Sequence, residues 1–314
     1  MNRIPRASIL RFPQPIPQDC RGGVATVGNF DGVHIGHARV VDKVLAIAQK
    51  RPATVVSFYP HPMNVLRGGS TIRYVTSIRE KAELLGGLGI STVYFVHFTN
   101  KLAQLTADEF IKEVFVDALG IQDLVVGEDV AIGHEKQGNL EYLGRRLPAF
   151  GIRLHVVERL DIRGQKAGSR RIRELVKEGS VEDVIPFLQH PFTISARVGH
   201  GDKRGSQLGF PTANIAVGHR LIPPRGVYAC RVEVEGCYYD AVANIGVRPT
   251  FNGTEERLEV HILDFPRKSL YGRRIHVGFV SRLRDEKEFH GIELLVKQIH
   301  IDIQQARARL NNER

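Results

Sequence analysis

Between residues 21 and 160, short β-branched runs alternate with longer helical periods; beyond Pro191, strands follow one another without helices between them. That change of texture constrains the fold more than any other feature of the chain. In the first stretch the strand candidates are residues 24–27, 53–58, 92–97, 123–126 and 153–157. Apolar residues at 3.6 spacing predict helices over 40–49, 77–88, 107–119 and 140–150. Thr106, with Glu109 three residues on, forms a capping box that opens the third of these. Strand and helix in this rhythm predict an α/β domain, a Rossmann-like parallel sheet covered on both faces. Its ligands should sit at the carboxyl ends of the strands.

In the second stretch, two short helices (169–178 and 181–188) lead to Pro191. Strands are then predicted at 192–198, 227–234, 238–243, 257–263 and 274–280, with Glu235-Gly236 as a hairpin turn. Closely spaced antiparallel strands predict a small β-barrel. A terminal helix over 292–310 offers the stripe Leu294, Leu295, Ile299 and Ile303 to pack on it. The boundary falls near residues 189–191, giving domains 1–188 and 189–314.

Composition narrows the partners. A chain of 314 residues suits two domains. The 44 Lys and Arg exceed the 34 Asp and Glu by ten, an excess that suits nucleic acid, an acidic membrane surface or a ligand with several phosphates. Three cysteines (Cys20, Cys230 and Cys237) without C-x-x-C spacing fit neither a disulfide framework nor a structural zinc site. No apolar run approaches the ~18 residues of a membrane span, and the Pro-punctuated N-terminus lacks a signal-peptide core. A cytoplasmic protein with no membrane association is expected.

The first informative string is TVGNFDGVHIGH, residues 26–37, placed between the first strand and the first helix. Such a junction offers free backbone N–H groups and a positive helix end to an anion. His34 and His37 flank Gly36, and two imidazoles there can donate to phosphate oxygens as charge develops. Alone, H-x-G-H is a weak signal, and two histidines in an ordinary loop would match it. Its position after the strand, behind Gly28-Asn29-Phe30-Asp31-Gly32, argues for nucleotide. Neither G-x-x-x-x-G-K-[ST] nor a G-x-G-x-x-G after a strand is present, so a P-loop kinase and a standard dinucleotide dehydrogenase are disfavoured. Three more strings follow strands: FYPHP with His61, GEDVAIG with Asp129, and SRRIR with Ser169, Arg170 and Arg173. The first reads most simply as a Pro-rigidified turn with a solvent histidine. Arginines at a helix start oppose the dipole, which favours an anion there over a merely solvated turn.

The second domain holds GHGDKRGSQLGFPTAN, residues 199–214. A Gly-rich flap with Gly201, Lys203, Arg204 and Gly209 can close over phosphates, although a mobile basic surface loop has the same composition. Past Pro211, the Thr212 hydroxyl and Asn214 amide oxygen are hard ligands suited to Mg²⁺. Glu259, in an alternating strand, can take a proton from a substrate hydroxyl; an isolated strand Glu more often faces solvent.

These residues resemble the bacterial bifunctional riboflavin kinase/FAD synthetase family over essentially the whole chain. The N-terminal half matches in GNFDGVHIGH (28–37), FYPHP (58–62) and GED (127–129). The C-terminal half matches in LGFPTANI (208–215), GVYAC (226–230), ANIGVRPTF (243–251), LEVHILDF (258–265) and LYGRRI (270–275). The resemblance implies two ATP-dependent steps. In the barrel, Mg·ATP phosphorylates riboflavin to FMN, with Thr212 and Asn214 on the metal and Glu259 as base. Gly201, Lys203, Arg204, Gly209 and Pro211 would meet ATP or flavin. In the first domain, FMN attacks a second ATP to give FAD and pyrophosphate, and His34 and His37 stabilise the pentacoordinate phosphorus. Gly28, Asn29, Phe30, Asp31, His61, Asp129, Ser169, Arg170 and Arg173 would meet ATP, with Asn29 orienting the α-phosphate.

Three positions depart from the family pattern. Ser-Ser-Thr-x-Ile-Arg is here Gly168-Ser169-Arg170-Arg171-Ile172-Arg173. Asp-Phe-x-Phe-Gly is Asp129-Val-Ala-Ile-Gly133, and a Gly-Arg is Gly205-Ser206. Arg170 is expected to replace lost hydroxyls with charge, and Arg204 to stand in at Ser206. Two other readings compete: a riboflavin kinase whose first domain only binds nucleotide or flavin, and a flavin- or RNA-binding regulator. A regulator would not need both histidines, both metal ligands and the base, so nucleic acid is disfavoured as a partner. A homo-oligomer stays open.

Overall fold

The computed structural model describes residues 6–14, 16–69, 71–162, 164–200, 205, 208–218, 220–250, 253–266 and 268–311. The chain divides into two compact units, Ile4–Ser169 and Arg170–Arg314.

The first unit is built on strands β1 (Ser8–Phe12), β2 (Val24–Val27), β3 (Ala53–Tyr59), β4 (Thr92–His97), β5 (Asp123–Gly127) and β6 (Arg153–Val157). They pair in the order β1-β4-β3-β2-β5-β6, every pair parallel. Helices α1 (Ile35–Ala48), α2 (Pro62–Leu66), α3 (Ile78–Gly87) and α4 lie between strands. Helix α4 is α-helical over Ala107–Phe110 and runs on as a π-helix over Ile111–Ala118; α5 spans Leu140–Arg146. Period-2 alternation sends Val24, Val55 and Val93 to one face against Val41, Val44 and Leu85. Ala25, Val56 and Tyr94 go to the other, against Phe115 and Leu143. Both faces are therefore covered, as the strand–helix rhythm predicts. Strand β1 escapes a sequence reading because prolines crowd around it, and an edge strand tolerates them. A small hairpin, β7 (Asp161–Ile162) with β8 (Gln165–Lys166), follows β6.

The amino end of the sheet, away from residues 28–34, carries a charge cluster. Asp123, 1% exposed, accepts from Arg51 at 2.7 Å, Arg153 at 2.8 and 2.9 Å, and pairs with His155 at 2.8 Å. The Arg153 guanidinium, then His155 and Arg51, hold its carboxyl far below the usual carboxylate range against the opposing effect of burial.

In the second unit, α6 (Ser169–Glu178) and α7 (Ile185–Leu188) precede six antiparallel strands: β9 (Phe192–Gly199), β10 (Ala213–Ala216), β11 (Gly226–Val234), β12 (Cys237–Thr250), β13 (Gly253–Ile262) and β14 (Arg274–Arg284). They close in the order β10-β13-β12-β11-β14-β9, and β9 pairs with β10 to complete the barrel. Glu235 (φ 53°) and Gly236 (φ 85°) make the tight turn between β11 and β12. Strand β10 is the one the sequence reading passes over, since its four residues follow a Gly- and Pro-rich loop.

Helix α8 (Ile292–Asn311) packs on the barrel with Leu295, Ile299 and Ile303 of the expected stripe half-buried. Leu294 is 55% exposed, while Asp302, Ala306 and Leu310 are buried, the last two against Ala229 and Val280. Asp302 is held inside by Arg284, which makes two bonds of 2.9 and 2.7 Å to it.

Candidate functional site

The turn between β2 and α1 is strained. Phe30 (φ 47°) and Val33 (φ 43°) take left-handed backbone, which side chains bearing a Cβ rarely adopt. Asp31 holds them there. Its buried carboxylate accepts the N–H groups of Val75 and Thr76 (3.1 and 3.0 Å) and the Thr76 hydroxyl, whose oxygen accepts the Gly32 N–H at 3.0 Å. Asp31 therefore clamps the turn from behind, a role its place among phosphate-facing residues does not suggest.

Helix α1 begins five residues earlier than its apolar period indicates, so His34 is its N-cap and His37 lies in its first turn. His34 Nδ1 accepts the His37 backbone N–H at 3.3 Å. Its ring proton therefore sits on Nε2, free to donate outward. The two imidazoles stack with centroids 3.6 Å apart, and Phe30 stacks on the far side of His37 at 4.6 Å. Gly36 permits this fold-back, because a Cβ there would meet the His34 ring at 3.2 Å. Burial drives the His34 pKa down to about 4, against the pull of Asp31 and Asp129. His37 is held well below the usual imidazole range by burial first, then by His34 and Lys81. At neutral pH both rings are uncharged donors.

Asn29 faces the same space. Its carboxamide lies 3.3 Å from His61 Nε2, and its Oδ1 is buried without a hydrogen-bond partner among the described residues. His61 caps α2 by accepting the Met63 N–H at Nδ1 (3.2 Å), and its own N–H donates to the Tyr74 hydroxyl at 2.7 Å. With Nδ1 accepting, Nε2 carries the proton. A half-turn of the carboxamide gives that proton the Asn29 oxygen and leaves the amide N–H₂ as a donor in the buried spot. His61 is thus a buried part of the site and not a solvent histidine.

Asp129, in the loop after β5, pairs with Lys166 Nζ, whose hydrogen bond lowers its pKa. The Ser169 hydroxyl donates to the Asp31 carbonyl at 2.7 Å. Arg170 and Arg173 follow on the first turn of α6; Arg170 is 93% exposed and donates to Glu174 at 2.9 Å. Sequence reasoning passed over Lys81, Thr76, Tyr74 and Lys166. Lys81 sits on the buried face of α3, where an apolar period expects no charge.

In the barrel, register builds a second site. Asn214 lies directly opposite Glu259 on the β10–β13 pair, and Glu259 opposite Asn244 on the β12–β13 pair. Ala213, Ile215, Leu258, Val260, Ala243 and Ile245 are buried, so alternation puts the three polar residues in one row on the outer face. Asn214 Oδ1 is buried with no hydrogen-bond partner among the described residues. Glu286 reaches the same row from beyond β14: its Oε1 lies 2.3 Å from where a Cβ on Gly246 would be, and Asn244 Nδ2 3.4 Å from it. Thr212, half-buried, leads into β10, and His261 Nδ1 donates to the Pro211 carbonyl at 2.9 Å. Gly209 takes φ 88° in the preceding turn. Gly201, Lys203, Arg204 and Ser206 lie outside the described residues.

Residues 16–171 match the FAD synthetase family and residues 188–310 the riboflavin kinase family. The bifunctional riboflavin kinase/FMN adenylyltransferase of Pseudomonas fluorescens is 36% identical over 291 residues, 92% of this chain and 93% of that protein. The protein so named in Bacillus subtilis is 34% identical, covering 95% of this chain and 96% of its own. A crystal structure described as a macrolide-efflux protein from Streptococcus pneumoniae superposes with TM-score 0.84 at 28% identity, over 95% of this chain and 98% of the other. Among the described residues, no helix is long and apolar enough to cross a membrane. With both domain families in order along it and relatives matched nearly end to end, the chain belongs to the bifunctional riboflavin kinase/FMN adenylyltransferase family.

Proposed function

We propose that this chain makes FAD from riboflavin in two ATP-dependent steps. The barrel transfers the γ-phosphoryl group of ATP to the riboflavin 5′-hydroxyl, releasing ADP. The parallel-sheet unit then lets the FMN phosphate displace pyrophosphate from the α-phosphorus of a second ATP. No protein nucleophile is needed, because FMN brings its own.

The observation that carries the adenylyltransferase reading is the His34–His37 stack. Two stacked neutral imidazoles stand at a helix start, one with its Nδ1 already committed, and can donate without charge of their own. Such donors act most where negative charge grows, on the oxygens of a five-coordinate phosphorus. Asn29, steadied by His61, orients the α-phosphate, and Ser169, Arg170 and Arg173 receive the outer phosphates. Asp129 with Lys166 borders this space. The functional boundary is assigned at 188/189, where the match to the riboflavin kinase family begins.

In the kinase half, Glu259 accepts the proton of the riboflavin hydroxyl. The orphaned, buried Asn214 oxygen and the Thr212 hydroxyl suit a hard cation, and Mg²⁺ keeps most of its shell for water and phosphate. Thr212 and Asn214 would hold it, and when bound it supplies neutralisation of the triphosphate's charge. Pro211 and Gly209 shape the turn beside it, and the basic flap carrying Gly201, Lys203 and Arg204 is assigned to ATP.

Incubating the purified protein with riboflavin, Mg²⁺ and ATP, then separating FMN from FAD, tests both halves. FAD is the expected end product. FMN without FAD would leave a riboflavin kinase with a binding domain attached, and neither product would overturn the reading.

A further inference from the structure

Lys81 is 4% exposed on α3, among Ala82, Leu85 and Gly86, where a side chain without charge would pack at no electrostatic cost. Burying an ammonium costs several kcal/mol unless its hydrogen bonds repay it. Two of its bonds reach one atom of the turn, one directly and one through Ser57. Lys81 Nζ donates to the Asn29 carbonyl at 2.5 Å and to Ser57 Oγ at 3.0 Å; Ser57 Oγ donates to the same Asn29 carbonyl at 3.0 Å. Both lone pairs of that oxygen are thereby filled. Phe95 supplies an aromatic floor, its ring centroid 5.5 Å from Nζ.

We propose that Lys81, with Ser57, is a positioning residue for adenylyl transfer, locking the Asn29–Phe30 peptide so that Asn29, Phe30 and His37 keep their geometry. The proposal rests on the adenylyltransferase reading of this site. The link is covalent and short. The direction of the Asn29 carbonyl fixes the peptide whose next dihedral is the strained φ of Phe30. The Phe30 ring in turn stacks on His37. At the other end of the same residue, the Asn29 carboxamide rests on His61. A charge-assisted bond is stronger than a neutral one, and it holds a backbone that would relax out of the left-handed region if released. Lys81 touches no reacting atom in this account; it acts through the peptide it grips, and its charge also helps keep His37 neutral, an effect that Ser57→Ala leaves in place.

The test compares Lys81→Met, Ser57→Ala and the double variant in the full chain. It measures kcat and KM for FAD synthesis from FMN and ATP, with circular dichroism and a thermal melt of the same preparation as the control for folding of the parallel-sheet unit. Lys81→Met should lower kcat by about 10- to 100-fold, the scale on which small misplacements act, with KM for ATP changed by less than about threefold. Ser57→Ala should lower kcat by a smaller factor. Because both side chains act through one carbonyl, the double variant should be about as slow as Lys81→Met alone. The proposal is overturned by a Lys81→Met kcat within about twofold of wild type, by a raised KM at unchanged kcat, or by fully multiplicative effects in the double variant. Should Lys81→Met fail to fold, Ser57→Ala decides: a wild-type kcat there refutes the proposal. Wild-type protein that phosphorylates riboflavin yet makes no FAD would overturn the underlying reading instead.

Discussion

His34 and His37 lie ring on ring, centroids 3.6 Å apart, and His34 Nδ1 accepts the backbone N–H of His37. That bond caps the helix and fixes the His34 tautomer. Two imidazoles this close cannot both carry charge, and burial already favours the neutral form of each. Their contribution is therefore directional hydrogen bonding, which strengthens as the phosphorus gathers a fifth oxygen.

His37→Ala should accordingly lower kcat for FAD synthesis by about 10²–10³ while weakening ATP binding little. Isothermal titration with a non-hydrolysable ATP analogue, alongside steady-state kinetics, separates the two effects. Normal turnover with poor ATP affinity would reassign His37 to ground-state binding.

The same burial sets a pH dependence of stability. Burial lowers the His34 pKa to about 4 in the folded chain, against the ordinary 6.5 of an imidazole in the unfolded chain. As pH falls from 6.5 toward 4, the unfolded chain takes up a proton that the folded chain does not. Stability therefore declines in that window, by up to about 1.4 kcal/mol per pH unit for each such histidine. His34→Asn retains a capping side chain and removes the titration. Thermal melts between pH 7 and 4.5 should show a flatter decline for this variant; identical slopes would count against the assignment.

How much of this was legible in the sequence depends on what each residue does. Strands 24–27 and 92–97 appear where β-branched runs place them, because burial against covered faces requires those side chains; 153–157 appears at its expected bounds as an edge strand without a buried residue. The Thr106–Glu109 capping box is present as read. The histidines were legible as a motif, but their stacking was not: it depends on α1 starting at Ile35, ahead of its apolar period. Lys81 and the Asp302–Arg284 pair were hidden for a common reason. Periodicity assigns charge to the outside, and a buried ion pair or buried ammonium is a tertiary decision with no local signal. The Asn214–Glu259–Asn244 row likewise exists only in the register of three strands distant in sequence.

That row yields a prediction for the barrel. Asn214→Ala or Glu259→Ala should abolish FMN formation from riboflavin yet leave FAD synthesis from supplied FMN largely intact. The substitutions fall on an outer face flanked by an unchanged core, so the lesion stays local. Assaying the two half-reactions separately decides it. Parallel loss of both with the fold preserved would refute the assignment of one reaction to each unit.

Asp123 should behave in the opposite way, mattering to stability and not to chemistry. It gathers Arg51, Arg153 and His155 at the amino edge of the sheet, away from the turn at residues 28–34. Asp123→Asn keeps the shape and removes the charge. Given that Arg153 and Arg51 are partly solvated, the expected loss is about 2–3 kcal/mol, the scale of hydrogen bonds to a charged group. Chemical denaturation would measure this, and kcat for FAD synthesis in native buffer should be unchanged. A variant as stable as wild type would show that the cluster is ornamental.

The departure at residue 170 gives the sharpest test, because two accounts predict opposite signs. Arg170 stands where the family pattern has a hydroxyl, and its guanidinium is almost wholly exposed, tethered among the described residues by its bond to Glu174 one helical turn on. Exposed i,i+4 pairs of this kind contribute only ~0.3–0.5 kcal/mol, so a phosphate can recruit the side chain at little cost. If Arg170 supplies charge in place of the lost hydroxyl, Arg170→Thr alone should impair adenylyl transfer, since Gly168 leaves the hydroxyl pair incomplete. KM for ATP should rise, with a steeper salt dependence in the wild type than in the variant. If the motif has merely decayed, wild-type FAD synthesis should be weak and Arg170→Thr neutral or beneficial. Three arginines within four residues at a helix start oppose the helix dipole, which favours compensation by a bound anion. Robust wild-type FAD synthesis that Arg170→Thr leaves untouched would sink that account.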